Sequence, residues 1–301
     1  MGKLISALKD IACGAVMAVA DSVPGVSGAT IAYLIGFYEK FVASVSDLLL
    51  GPWDKKKAAL PFVIKLAIGW ACCFAVCAVV LTAFFEANIY ALSSLFLGFT
   101  LLAIPIIVWE EREALKGRLT WLITAAIGIL VAPLLVTLNG FFGVSDITHL
   151  TLPLIILLLV AGVLALAVMV LPGISGSTML LIFGLYVPLV TGVSALLHGN
   201  FSTLPALIIF AVGAIIGLAL CSKLVRFCFA KYRKLTVGAI IGLLIGSLYA
   251  IAKGPETMGA GTEMLSLSTF SIGCFILGIG IMLGLEWIKI IREKKLAAKT
   301  E

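Results

Sequence analysis

The sequence predicts an all-α polytopic membrane protein made of an inverted-topology repeat, each half a re-entrant or broken helical hairpin followed by three transmembrane helices. Three observations lead there. Of 301 residues, 62% are hydrophobic and 12% charged, at a mean hydropathy of +1.22, where a soluble domain holds about half apolar and about a quarter charged residues. A Pro-Gly-x-Ser-Gly-x-Thr motif occurs twice, starting at Pro24 and at Pro172, each copy inside an apolar stretch. Finally, 20 of the 21 Lys and Arg residues fall in segments that a single threading of the chain places on one side. The composition excludes soluble enzymes, secreted disulfide scaffolds and disordered chains.

Six stretches reach the length of about 20 residues that crosses ~30 Å of hydrocarbon: 60–84, 89–109, 119–138, 204–229, 235–251 and 268–288. Two other apolar regions, 11–37 and 154–186, are interrupted. In the first, residues 11–23 give 13 residues, ~20 Å of helix, which is too short to cross. The breaks are Pro24-Gly25-Val26-Ser27-Gly28 and Pro172-Gly173-Ile174-Ser175-Gly176. Proline lacks an N–H and clashes with the preceding turn, and paired glycines favour irregular backbone. Such backbone survives at membrane depth only where protein buries it or a wet cavity lines it. The two tips are therefore expected to form a site.

With the amino terminus inside and each hairpin returning to its own side, only Lys253 lies in an outer segment. The positive-inside rule asks for this distribution, with both termini cytoplasmic. Full spans in place of the hairpins would give the same sidedness, so charge placement speaks to topology and not to hairpin depth.

The two motifs head longer matching blocks. At an offset of 148, Gly36, Tyr38, Val42 and Ser46 match Gly184, Tyr186, Val190 and Ser194; at 144, Gly69, Cys77, Phe85 and Gly98 match Gly213, Cys221, Phe229 and Gly242. Residues 1–150 thus form one repeat and 151–301 the other. Three spans separate the hairpins, so the second copy enters from the opposite face. Inverted repeats with broken helices near the midplane mark transporters that alternate access.

After each Pro-Gly, a returning half-helix opens at Ser27 or Ser175, which sit as N-caps, with Thr30 and Thr178 one turn in. Its first N–H groups have no internal partner and its dipole places partial positive charge there. Two such ends meeting in low dielectric suit an anion such as a phosphate, with hydroxyls of Ser22, Ser27, Thr30, Ser175, Ser177 and Thr178 as further donors. The site reading therefore covers Ser22, Pro24, Gly25, Val26, Ser27, Gly28 and Thr30, with Pro172, Gly173, Ile174, Ser175, Gly176, Ser177 and Thr178. Gly238, Gly242 and Gly246, and Gly280 with Gly284, are read instead as helix-packing positions.

Intramembrane charge is functional by default. Lys65, Lys223 and Arg226 either snorkel to the inner headgroups or make a cationic path for an anionic head on the cytoplasmic side. Asp21, beside an anion pocket, must be protonated, paired or cation-bound, which makes it the first choice for coupling to H⁺ or Na⁺. Its counterpart in the second half is Met169. Glu39 is a weaker second choice, with a local ion pair beside Lys40 as its other role. The seven cysteines read as small packing residues with no metal set, so no cofactor is expected. No Gly-x4-Gly-Lys-[Ser/Thr] is present for ATP hydrolysis. Nothing points to nucleic acid, and a homo-oligomer stays open.

These residues resemble a known family. Ala20-Asp21-Ser22-Val23-Pro24-Gly25-Val26-Ser27-Gly28-Ala29-Thr30 with Gly36-Phe37-Tyr38-Glu39, and Leu171-Pro172-Gly173-Ile174-Ser175-Gly176-Ser177-Thr178 with Gly184-Leu185-Tyr186, look like the bacterial domain-of-unknown-function membrane family since assigned as polyprenyl-phosphate translocases. Ala29 stands where that family often has Gly. The resemblance covers essentially the whole chain. It implies a flippase of the bacterial cytoplasmic (inner) membrane, and not an enzyme. Its cargo would be undecaprenyl phosphate, the lipid carrier of peptidoglycan and surface-glycan synthesis, returned from the outer to the inner leaflet. The two motif stretches are what the resemblance carries over; Lys65, Lys223 and Arg226 rest on charge placement alone.

Two rivals remain at this stage. An undecaprenyl-pyrophosphate phosphatase uses similar inverted hairpins, but with Arg after the Ser; here Gly28 and Gly176 stand there, with nothing to stabilise a transition state's charge. An ion-coupled transporter of a small anion would need a closed polar cavity, where a lipid carrier needs a groove open to the bilayer.

Overall fold

The structure, a computed structural model, describes the backbone of residues 2–21, 27–117, 119–138, 146–197, 199–257 and 263–297, and among these there are helices and no strand. The first half runs α1 (Gly2–Asp21), α2 (Gly28–Leu34), α3 (Tyr38–Leu50), α4 (Trp53–Glu110), the short α5 (Arg112–Leu115) and α6 (Trp121–Thr137). The second runs α7 (Leu152–Met169), α8 (Gly176–Ile182), α9 (Tyr186–Leu197), α10 (Leu204–Lys253), a 3₁₀ turn and α11 (Ile272–Ala297).

Two long helices carry four of the expected spans. α4 is 58 residues long and leaves helical geometry at Asn88 (φ −125°); α10 is 50 residues long and does so at Tyr232 (φ −131°). Both kinks fall in the gaps left between 60–84 and 89–109 and between 204–229 and 235–251. They are 144 residues apart, the offset of the second matching block. α6, at 17 residues, is shorter than the expected 119–138, whereas α11, at 26 residues, takes in 272–288 of the expected 268–288.

The first arms of the interrupted regions differ from expectation. α1 has 20 residues and begins at Gly2, so it is ~30 Å long, not the 13-residue stub read from 11–23. Lys9 is exposed and Asp10 buried, and neither ends the helix. α7, at 18 residues, is also long and apolar enough to cross alone. The second break is where the sequence puts it, and the first falls between the end of α1 and the start of α2, outside the described residues. α2 and α8 are seven-residue helices, each ended by a left-handed glycine, Gly36 (φ +80°) and Gly184 (φ +63°). α8 and α9 diverge by 109° across the second of these turns.

Close packing repeats between the halves. In α1 against α4, a Cβ on Gly14 would overlap the Leu66 carbonyl, and one on Gly69 the Ile11 carbonyl. In α7 against α10, the same holds for Gly162 with Phe210 and Gly213 with Leu159. Gly98 and Gly278 join α4 to α11 as Gly242 and Gly128 join α10 to α6. Gly238, Gly242 and Gly246 all face α6, as expected, but Gly280 and Gly284 have no described atom within 4 Å of where a Cβ would stand. Four-residue spacing identified a stripe on α11 without saying which side met a partner; Gly278 is on the packed side.

Apolar side chains point outward and hydroxyls inward. Ile123, Ile127, Leu130, Leu134, Ile156, Ile215, Leu220 and Ile276 are exposed, whereas Ser27, Thr30, Ser93, Ser94, Thr100, Ser175, Thr178, Ser222 and Ser247 are buried. Lipid as the outer solvent accounts for this arrangement. The main core packs α1–α4 against α10 through Ala29, Ala32, Tyr38, Val42, Cys221, Val225 and Phe229.

Candidate functional site

Ser22, Pro24, Gly25 and Val26 lie outside the described residues, so the first break is seen from its flanks, Asp21 and Ser27. On the Ser27 side the first half touches the second break directly. Ser27 Oγ donates to the Leu171 carbonyl at 3.4 Å. The Gly173 N–H donates to Thr30 Oγ1 at 2.8 Å. Tyr38, just past the first turn, donates its O–H to the Val170 carbonyl at 2.8 Å. The partners are 132 to 144 residues apart in sequence, and no lipid-sized gap separates them.

Ser27 (1% exposed), Thr30 (4%), Ser175 (5%) and Thr178 (6%) are all buried there. Pro172 and Ile174 are buried beside them. Gly173 adopts φ +90°, and a Cβ on it would meet the α10 backbone at Leu243, so the second break is pressed against α10. Ser27 and Ser175 occupy the N-cap positions with extended backbone, but neither side chain caps its own helix. Ser27 Oγ is turned across to Leu171, and Ser175 Oγ pairs with Ser177 Oγ at 2.7 Å.

Asp21 supplies the cap instead. Its Oδ1 accepts the Gly28 N–H at 2.6 Å and its Oδ2 accepts the Trp70 indole N–H at 2.9 Å. The start of α2 is thus already matched by a carboxylate from the end of α1. At the start of α8 the corresponding residue is Met169, whose Cβ lies 3.4 Å from where a Gly176 Cβ would stand. The two ends are alike in backbone and unlike in charge. One carries a built-in anion, and the other presents Ser175, Ser177 and Thr178 beside a thioether. Trp70 and Asp10 were not singled out from sequence. A lone Trp in a lipid-facing stretch carries no signal of its own, and Asp10 is buried against lysines 30 and 55 residues on, which sequence does not bring together.

The remaining charged candidates separate. Lys65 lies 3.5 Å from Asp10, which also takes Lys40 at 3.4 Å. Glu39 pairs with Arg233 at 3.0 Å, not with its neighbour Lys40, and Arg233 also forks onto Glu111 at 2.7 and 3.1 Å. Beneath Arg233, Tyr33, Tyr38 and Phe229 form a ring triangle with centroids 5.5 to 6.4 Å apart. Lys223 and Arg226 are elsewhere, in a cleft between α3 and α10 where Arg226 bonds Asp47. The tips therefore gather the motif residues and Asp21, and none of the three basic candidates is among the groups they bond.

Comparison with known proteins agrees with this architecture. A family model described as VCA0040-like, undecaprenyl phosphate translocase-like, matches residues 17–269. A polyprenyl-phosphate transporter of Vibrio cholerae is 30% identical over 268 residues, 85% of this chain and 81% of that protein. One of Staphylococcus aureus is 30% identical over 275 residues, 91% of this chain and 94% of that protein. No solved structure matches significantly. The matched region runs from the end of α1 to just short of α11, taking in both motifs, and the chain belongs to the undecaprenyl phosphate translocase-like family.

Proposed function

We propose that this chain transports polyprenyl phosphate, with undecaprenyl phosphate as cargo, carrying it from the outer to the inner leaflet of the bacterial cytoplasmic membrane. The observation that carries this reading is the direct contact of the two breaks, Ser27 to Leu171 and Thr30 to Gly173. It gathers hydroxyls and helix-start amides in a region otherwise walled by apolar side chains. Phosphate oxygens accept from such donors, and a low dielectric strengthens each bond. The head sits against Ser175, Ser177 and Thr178, where no carboxylate competes, and the prenyl tail stays in lipid.

The repeats 1–150 and 151–301, entering from opposite faces, exchange which side is open. Asp21 is the coupling residue: as a carboxylate it holds α2 through Gly28, and on taking up H⁺ or Na⁺ it lets that end rearrange. Glu39, committed to Arg233, serves the closure of the cytoplasmic side. A phosphatase reading is disfavoured because Gly28 and Gly176 stand where that enzyme carries Arg, and a Cβ on Gly28 would displace the Asp21 carboxylate.

Reconstitution into vesicles with head-labelled polyprenyl phosphate in one leaflet tests this. Leaflet exchange should fall at least about tenfold in the Ser27→Ala, Ser175→Ala double variant, the equivalent of ~1.4 kcal/mol or more. Exchange equal to wild type removes the head site. Release of inorganic phosphate from the pyrophosphate lipid would make the chain an enzyme.

A further inference from the structure

A cleft of about 360 Å³ opens away from the tips, where the end of α3 and the turn into α4 meet α10. Ser46, Asp47 and Leu50 line it from α3, Lys55 from the first turn of α4, and Lys223, Arg226 and Phe227 from α10. The buried face of α10, with Cys221, Val225 and Phe229, separates it from the tips. Three cations and one carboxylate leave it at net +2. Arg226 is held by Asp47, whereas Lys55 and Lys223 have no hydrogen-bond or ion-pair partner among the described residues. Below them Ile216 (42% exposed), Leu220 (59%) and Leu224 (59%) run down one open face of α10.

We infer that this cleft is a second binding site, taking the head of a lipid phosphomonoester at the cytoplasmic leaflet with its chain laid along Ile216, Leu220 and Leu224. The inference rests on the proposed cargo but not on the tip site. Charge selects the monoester: at pH 7 it carries about −1.5 to −2, matching the net +2, where the phosphodiester of an ordinary phospholipid carries one charge. Exposed cations alone bind weakly. Here two free ammonium groups and a guanidinium converge in one concavity, and an apolar track adjoins it, so head and tail are held together. Arg226 is tied to Asp47 until the head arrives, so an incoming phosphate competes with that carboxylate. In transport the cleft is the station from which the carrier leaves, or re-enters, the inner leaflet.

Native mass spectrometry of the full-length protein in detergent, titrated with polyprenyl monophosphate, tests the cleft. Wild type should bind two molecules. Lys55→Gln with Lys223→Gln should bind one and weaken the other at least about tenfold, while Ser27→Ala with Ser175→Ala should keep the cleft molecule. Asp47→Asn removes the counter-charge and should tighten the second binding by a similar factor, an effect opposite to that of damage to the fold. Phosphatidylglycerol and inorganic phosphate should not displace the second molecule at equal concentration. Unchanged stoichiometry in the double Gln variant, or equal displacement by phosphatidylglycerol, overturns the inference and leaves the proposed cargo standing. Absence of any polyprenyl phosphate on wild type overturns the cargo itself.

Discussion

Gly28 and Gly176 hold equivalent places in the two motifs, yet their surroundings differ because Asp21 faces one and Met169 the other. A methyl group on Gly28 would displace the carboxylate that bonds the Gly28 N–H and the Trp70 indole. On Gly176 it would meet the Ala165 carbonyl at 3.2 Å and the Met169 side chain at 3.4 Å, contacts that a small shift relieves. Overpacking of the first kind costs about 1–3 kcal/mol. Gly28→Ala should therefore abolish most leaflet exchange and lower the melting temperature, and Gly176→Ala should do neither to the same degree; equal losses in the vesicle assay would refute the asymmetry. Trp70→Phe keeps the stack on Phe74, with centroids 4.7 Å apart, and removes one hydrogen bond to a buried carboxylate. The expected loss is about 1–3 kcal/mol by thermal unfolding in detergent, with exchange more impaired than stability. Sequence pointed to Asp21 by its position in the motif. It could not point to Trp70, 49 residues on, because only the packing of α1 on α4 brings the indole to the carboxylate.

At the scale of elements, helix contacts in lipid gain little from hydrophobicity and depend on close approach. The glycines at the crossings of α1 with α4 and of α7 with α10 therefore act as spacers. Gly69→Ala and Gly213→Ala should each lower stability by about 1–3 kcal/mol, while Gly280→Ala, which faces open space, should be neutral or stabilising by up to ~1 kcal/mol through helix propensity. Melting curves of the three variants decide the matter, and a destabilised Gly280→Ala would count against the packing. The matched pairs Gly69/Gly213 and Gly98/Gly242, the second break and the kink-containing gaps were legible, since backbone demands for Gly and Pro are local. The reach of α1 back to Gly2 was not, because Lys and Asp at a membrane surface read the same in a helix as in a loop. Nor was the packed side of α11, which depends on the partner helix.

Across the whole molecule, an ion-pair cluster ties the two halves at one side, while at the other the Glu263 and Ser271 N–H groups donate to Tyr90 Oη and Ser94 Oγ. Arg233, next to the α10 kink, ties Glu39 at the start of α3 and Glu111 at the end of α4, above the Tyr33, Tyr38 and Phe229 rings. The repeat-related positions of Glu39, Tyr33 and Arg233 are Val187, Leu181 and Ile89, which can form no such pair, and Tyr186 is 36% exposed where Tyr38 is 2%. Under the alternation proposed above, this lock is released once per cycle and its strength biases which side is open. Glu111 is the better-buried partner, at 16% side-chain exposure against 56% for Glu39, and it receives two of the three bonds, so most of the bias resides there. In a chain retaining Cys221 as its sole cysteine, Glu111→Gln and Arg233→Gln should speed maleimide labelling of that buried thiol from the side that carries Arg233 about tenfold, corresponding to ~1.4 kcal/mol of released bias. Glu39→Gln should act less, as expected of a well-exposed pair. Arg112→Gln, whose partner Glu113 is its exposed neighbour, should leave the rate unchanged. A labelling rate indifferent to Glu111 and Arg233 would mean that the aromatic layer alone closes this side.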